Sequence, residues 1–361
     1  MSTPGPTLAP PMGLLMELTH RCPLKCFYCS NPLELERAGT ELKTEDWLRV
    51  LDEAAALGVL QVHFSGGEPM VRKDLAALVR RAHDQQLYAN IITSGVLLTD
   101  DAMRALTDAG VDHLQLSFQD SEQEAGDHIG GYAGGHARKL AAAERIKSAG
   151  LPLTLNFVIH HLNADRVAEM IALSERLGAE RVEIAHTQYY GWGLLNRTGL
   201  LPTRQQLDHA TWVVEAARVR LKGVMTIDYV VPDYFAKRPK ACMAGWGRRF
   251  MNITPSGKVL PCHAAETLPG IRFPSVRTQS LAEIWAKSDA FQRFRGVAWM
   301  PEPCRSCDRA EVDWGGCRCQ AFALTGDASA TDPACEKSSD HGLMALAVSQ
   351  PRGLSPLVPR I

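Results

Sequence analysis

The 361-residue chain balances 39 basic against 40 acidic side chains, for a net charge of −1, which excludes the basic footprint of a nucleic-acid or anionic-membrane binder. No run approaches the eighteen or so apolar residues of a membrane span, and Met1-Ser2-Thr3-Pro4-Gly5-Pro6 lacks the charged and apolar regions of a secretory signal, so a cytoplasmic protein is expected. The length predicts one large domain with a smaller one attached.

Residues 1–11 read as a tail. From 12 to 202 short apolar runs alternate with amphipathic stretches. The strand candidates are Leu14–Leu18, Gln61–Phe64, Tyr88–Ile92, His113–Phe118, Leu153–Ile159 and Arg181–Ala185, with helical patterns near 44–57, 74–86, 99–109, 136–149 and 164–177. Gly58, Gly110, Gly150 and Gly178 directly follow four of those helical patterns, as C-terminal caps do. Such alternation predicts an α/β fold with a parallel sheet and right-handed crossovers: six β/α units, an open partial barrel. In barrels of this kind chemistry gathers at the C-terminal strand ends. Each of the six strands ends in polar residues here, from Cys22 after the first to His186-Thr187-Gln188 after the sixth. Residues 203–241 then read as a bridging helix, capped by Thr203, and a strand. A cysteine-rich extension covers 242–340, and 341–361 is a tail. Its last twelve residues hold three prolines and are expected to lack regular structure. Leu357-Val358-Pro359-Arg360 also matches part of an engineered protease site, so no function is read there.

The ten cysteines are placed unevenly: Cys22, Cys26 and Cys29, none until Cys242, then seven up to Cys335. In a reducing compartment this points to metal or redox chemistry rather than disulfides. Three thiolates spaced C-x3-C-x2-C can wrap one iron–sulfur cube and leave its fourth iron open for a substrate. The spacing does not suit a zinc ribbon with paired C-x2-C knuckles, and Pro23 disfavours a helical Cys22. The alternative is three buried apolar cysteines.

With Tyr28 before its last cysteine, this segment resembles the cluster motif of the radical S-adenosylmethionine (SAM) superfamily. Gly66-Gly67-Glu68-Pro69 alone is only a turn, but after the second strand it is similar to the second motif of that superfamily. The resemblance implies that the backbone and carboxylate of this turn meet the methionine amine of SAM, glycines allowing the close approach. It further makes Ser117, Gln119, Asp120 and Asn156 candidates for the ribose and carboxylate of SAM; each reads equally as a local cap or hydrogen-bonding residue. His63, inside a strand, reads as a satisfied core residue. Tyr189-Tyr190-Gly191-Trp192 fits either a substrate wall or ordinary loop packing.

The later cysteines run Cys242-x19-Cys262, Cys304-x2-Cys307, Cys317-x-Cys319 and Cys335. Taken alone, seven cysteines with a nearby histidine could make two tetrahedral zinc sites. Beside the N-terminal motif the arrangement resembles the SPASM extension of peptide-modifying radical SAM enzymes, which implies two auxiliary iron–sulfur clusters. Where that pattern places a cysteine this chain has Asp313, and Cys319 is additional. The resulting split gives Cys242, Cys262, Cys317 and Cys319 to the nearer cluster, and Cys304, Cys307, Asp313 and Cys335 to the farther. A carboxylate is a harder donor than a thiolate and would alter the potential; the alternative is a solvated loop acid. Whether each auxiliary cluster is [4Fe-4S], or one is [2Fe-2S], is not legible from spacing.

From about Gly13 to Asp340 the chain most resembles the coenzyme PQQ synthesis protein E family. The runs that carry the likeness are Met16 to Pro32, His63-Phe64-Ser65-Gly66-Gly67-Glu68-Pro69, Leu114 to Asp120 and Met251 to Gly257. The resemblance implies carbon–carbon joining of a Glu and a Tyr side chain in the ribosomal precursor peptide PqqA. It also implies a peptide chaperone, PqqD, and a flavodoxin-like electron donor. The rivals are another SPASM enzyme, forming a thioether or oxidising a protein Cys or Ser, and a non-catalytic zinc or iron–sulfur module.

Overall fold

The computed structural model describes residues 8–349 and 356–361. Its strands form a single sheet in the order β7-β6-β5-β4-β3-β2-β1-β8-β9. The first six are β1 (Gly13–Glu17), β2 (Gln61–Ser65), β3 (Tyr88–Thr93), β4 (His113–Phe118), β5 (Leu153–Ile159) and β6 (Arg181–His186). All six run parallel, each hydrogen-bonded to the next in sequence. This is the partial barrel that the alternation predicts.

The crossover helices are α1 (Thr44–Leu57), α2 (Leu75–Asp84), α3 (Asp100–Asp108), α4 (Gln123–Gly130), α5 (Gly135–Ser148) and α6 (Val167–Arg176). The sequence reading does not contain α4. Local chemistry sets their ends. Thr99 Oγ1 accepts the Ala102 amide at the start of α3, and Gly58 closes α1 with φ of 90°. Beyond the short α7 (Gly191–Leu195) and α8 (Arg197–Leu200), α9 (Arg204–Arg220) begins with the Thr203 cap, completed as a capping box by Gln206.

Parallel strands buried on both faces read as continuous apolar runs, but β2 and β4 alternate. Leu114, Leu116 and Phe118 are fully buried, whereas His113, Gln115 and Ser117 are not. The inner face therefore carries polar side chains in register: His63 beside Asn90 beside His113, and Ser117 beside Asn156 beside Glu183 beside Asp228. That polar lumen is what the fold offers a ligand.

The sheet is wider than six strands. β7 (Thr226–Val230) pairs in parallel with β6, so the expected bridging strand extends the sheet. β8 (Phe250–Ile253) pairs in parallel with β1 on the other edge, and β9 (Val259–Leu260) turns back against it. The apolar core follows suit: Met251, Ile253, Val259, Leu281, Ile284 and Trp285 share one cluster with the barrel residues, and the Trp285 indole donates to the Ala9 carbonyl at 2.9 Å. The change at residue 242 thus separates chemistries, not cores. Helices α10 (Leu281–Lys287), α11 (Asp289–Gln292), α12 (Ala310–Asp313) and α13 (Arg318–Thr325) carry the cysteine-rich part. Within the expected tail, α14 (Gly342–Ser349) is helical and buries Met344 and Ala347. Residues 356–361 have no regular structure, and 350–355 lie outside the described residues.

Candidate functional site

The Cys22–Cys29 loop leaves the C-terminal end of β1 and is shaped by backbone contacts on three sides. Gly67 N–H donates to the Thr19 carbonyl at 2.6 Å and Glu68 N–H to the Arg21 carbonyl at 2.9 Å. A Cβ on Gly66 would stand 2.3 Å from the Thr19 oxygen, and one on Gly67 2.5 Å from that of Arg21. Two glycines are needed there because the turn and the cysteine loop touch backbone to backbone. From above, Gly193 N–H donates to the Cys29 carbonyl at 3.1 Å, and a Cβ on Gly191 would overlap the Asn31 oxygen at 1.9 Å. Lys25 N–H donates to the Gly130 carbonyl at 2.7 Å from the side.

The loop brings its three thiols together. Burial, and then the neighbouring thiols, push Cys26 up to about 12; Cys22 is raised to about 11, again chiefly by burial, and Cys29 is raised for the same leading reason. Burial and crowding disfavour three bare thiolates, so the sulfurs stay protonated unless a cationic centre such as the iron of an iron–sulfur cube takes the place of the protons.

The sequence-predicted SAM residues fare differently. Glu68 is fully buried, and its carboxylate accepts from Thr93 Oγ1 at 2.6 Å, Met70 N–H at 3.0 Å, Ser94 N–H at 2.8 Å and the Ser94 hydroxyl. A carboxylate has about four acceptor positions, and here each has a partner within the protein, so the side chain pins the end of β3 to the Gly66-Gly67 turn. Pro69 opens the short helical turn behind it. Tyr28 and Gln119 are brought together, the amide donating to the phenol at 3.1 Å. Asp120 is fully buried in an ion pair with Arg166, which engages both of its oxygens, and also accepts the Glu122 amide. Asn156 donates to Glu183 at 2.8 Å inside the lumen. Ser117 stands on the same face, and its carbonyl accepts from Lys139 at 2.7 Å. His63, half-buried in the polar row of the lumen face rather than in the core, is hydrogen-bonded to Asn90 at 2.9 Å.

Sequence reasoning missed Lys139. It is 2% exposed on α5 and also donates to the Ser94 carbonyl at 3.0 Å, so one buried ammonium ties the ends of β3 and β4. Burial lowers it to about 8, against the pull of Cys26. A lysine in an amphipathic run gives no sequence signal of being inward.

The later cysteines fall into two groups. Cys262 and Cys319 sulfurs are 4.0 Å apart, and Cys242 contacts both Cys262 and Cys317. Tyr190 reaches this group, its hydroxyl 3.0 Å from the Cys317 sulfur. Cys304, Cys307, Asp313 and Cys335 line a second, smaller cavity. Asp313 is nearly buried, accepts the Gly315 amide at 3.1 Å and lies 3.4 Å from Arg309. Between the groups stands Asp332, also missed, which accepts the amides of Cys317 at 2.7 Å and Ala334 at 2.9 Å. Among the described residues no three His, Cys, Asp or Glu side chains converge tightly enough for a single metal ion; a cluster with its sulfides spans more space than an ion. A cavity of about 210 Å³ lies against the first group. One wall is His186, Tyr189 and Asp233 from the barrel's edge; the other is Cys242, Cys262 and Cys317. Tyr189 and Tyr190 therefore line the cavity, while Trp192 is buried in loop packing.

Comparison with known proteins agrees with this architecture. The radical SAM superfamily matches residues 16–174, and the SPASM iron–sulfur cluster-binding domain matches 242–308. In fold the chain is similar to Streptococcus suis SuiB solved with S-adenosylmethionine (TM-score 0.74, 18% identity, 92% of this chain and 77% of that one). It is also similar to anSMEcpe with bound AdoMet (TM-score 0.65, 16% identity, 94% and 95%). Proteins named PqqA peptide cyclase are much nearer in sequence. That of Granulibacter bethesdensis is 66% identical over 97% of this chain and 94% of its own length. That of Gluconobacter oxydans is 61% identical over 94% of each, and that of Methylobacterium nodulans 59% over 97% and 93%. Identity at this level across both cysteine-bearing ends leaves one assignment: the chain belongs to the PqqA peptide cyclases, radical SAM enzymes with a SPASM iron–sulfur domain.

Proposed function

We propose that the enzyme joins a Glu and a Tyr side chain of the PqqA precursor peptide through a carbon–carbon bond, as a step in PQQ formation. The observation that carries this reading is the cavity between the strand ends and the Cys242 group, which offers a peptide side chain a place with metal-ligating residues beside it. Joining the two residues removes one hydrogen from each. Cys22, Cys26 and Cys29 would hold a [4Fe-4S] cluster with an open iron for SAM. Bound there, that pair supplies hydrogen-atom abstraction, chemistry no side chain provides.

The chain's own residues do the rest. The Gly66-Gly67 turn admits SAM close to backbone, and Glu68 and Lys139 hold the strand ends that flank it. Tyr28 and Gln119 form a wall beside the cysteine loop, and the Ser117–Asn156–Glu183 row supplies hydrogen-bonding partners in the lumen. Cys242, Cys262, Cys317 and Cys319 would hold one auxiliary cluster, and Cys304, Cys307, Asp313 and Cys335 another, each a place for the electron released when the Tyr ring regains aromaticity. The chaperone PqqD would present the peptide and a flavodoxin-like protein would deliver electrons. No described helix is long and apolar enough to cross a membrane, and we place the reaction in the cytoplasm with those partners.

The test is metal content with SAM cleavage. Anaerobic reconstitution should load roughly ten to twelve irons per chain. A Cys22→Ala, Cys26→Ala, Cys29→Ala triple variant should lose about four of them and make no 5′-deoxyadenosine. Stoichiometric zinc in the parent, or continued SAM cleavage in the variant, would contradict the assignment.

A further inference from the structure

Leu357-Val358-Pro359-Arg360, set aside on sequence for its match to part of a protease site, is built into the fold: residues 356–361 lack regular structure, yet they are strapped across the cysteine loop. Asn196 grips the Val358 backbone from both sides, accepting its N–H at 2.8 Å and donating to its carbonyl at 2.8 Å, and also donates to the Phe27 carbonyl in the loop. Leu357 packs with the apolar cluster of Phe27, Tyr189 and Leu200 and fills a notch over Gly199, where an added Cβ would meet its Cδ2 at 2.7 Å. These contacts deliver Arg360 inward. It is 3% exposed, donates to the His20 carbonyl, and lies over the Trp192 ring at 5.9 Å from the centroid. Burial raises the Cys29 and Cys22 thiols, and the charge of Arg360 opposes that rise at both.

An arginine stays protonated in proteins, and burying that charge is costly unless negative charge stands beside it. Its Nε has no hydrogen-bond partner among the described residues. Thiolates ligating iron would supply the missing negative charge; neutral thiols would not.

We propose that Arg360 is a positioning residue of the N-terminal cysteine site, a fixed cation that the 356–361 strap holds against Cys29 and Cys22. There it offsets the negative charge of a thiolate-ligated cluster and makes that cluster easier to reduce. The inference rests on Cys22, Cys26 and Cys29 being the cluster ligands.

The experiment is a redox titration of full-length, anaerobically reconstituted protein, following by electron paramagnetic resonance the signal that SAM perturbs. Absence of such a signal in the parent refutes the ligand assignment itself, and with it this inference. With the signal present, Arg360→Gln should lower its midpoint potential and leave the other clusters unchanged, while Arg360→Lys, which keeps the charge, should recover part of the shift. Equal potentials in parent and Arg360→Gln, or equal shifts in both variants, would overturn the proposal. If Arg360→Gln sheds iron, release to a chelator decides: slower loss from Arg360→Lys supports the charge, and equal loss from both overturns it.

Discussion

Replacing Glu68 with Gln separates holding the strand end from touching the ligand. All four acceptor positions of the buried carboxylate are used, two of them by backbone amides of Met70 and Ser94. Gln keeps the shape but converts one oxygen into a donor. The Thr93 and Ser94 hydroxyls can rotate to accept from it; a backbone N–H cannot. One buried amide therefore loses its partner, at about 1–3 kcal/mol, and the surviving bonds lose their charge assistance. A local loss of about 2–4 kcal/mol follows. Native-state hydrogen exchange on the anaerobic protein reads this directly: protection of the Ser94 or Met70 amide should fall roughly 30- to 900-fold, at 1.36 kcal/mol per decade. SAM affinity should weaken in parallel, because the end of β3 and the Gly66-Gly67 turn are released together. Unchanged protection with weakened SAM binding would refute the reasoning and favour direct contact of the carboxylate with the SAM amine.

Gly67→Ala should weaken SAM binding at least about tenfold, since its Cβ would lie 2.5 Å and 2.6 Å from two backbone oxygens and the loop must move; equilibrium dialysis with SAM checks this. Asp313→Ala should disturb the spectrum of one auxiliary cluster and leave the SAM-perturbed signal intact, while Asp313→Cys should keep that cluster at a lower potential. Parent-like spectra and potentials in both would make Asp313 a loop acid. Burial, followed by the charge of Asp228, raises Glu183 above the usual carboxylate range. Its ionised form therefore costs stability at neutral pH, and that cost disappears as pH falls through the raised value toward the ordinary one near about 4.3. The stability advantage of Glu183→Gln over the parent should accordingly shrink on acidification, as thermal unfolding at a series of pH values would show.

The barrel was legible because its signals are local: alternating strands, helical periodicity and terminal glycines placed β4 and β5 to the residue. β8 was not, since Phe250-Met251-Asn252-Ile253 is four residues long without clear alternation and finds its partner, β1, far away in sequence. Cysteine spacing singled out the residues for which metal chemistry is proposed. The groupings around the two C-terminal cavities depend on tertiary folding, and so do the inward turn of Lys139 and the return of Arg360. Glu68 shows the limit of a motif: Gly66-Gly67-Glu68-Pro69 marked the turn, but the bonds that fill its carboxylate come largely from Thr93 and Ser94, some 25 residues on.

The central claim is that this chain cross-links a peptide. The most direct measurement is fragmentation mass spectrometry of PqqA after anaerobic incubation with the reconstituted enzyme, SAM, reductant and PqqD. The account predicts a product lighter by two hydrogens, resistant to thiol-specific reagents, whose fragments place a bond between a Glu and a Tyr side chain. Production of 5′-deoxyadenosine with the peptide unchanged, or modified at a Cys or Ser, would contradict it.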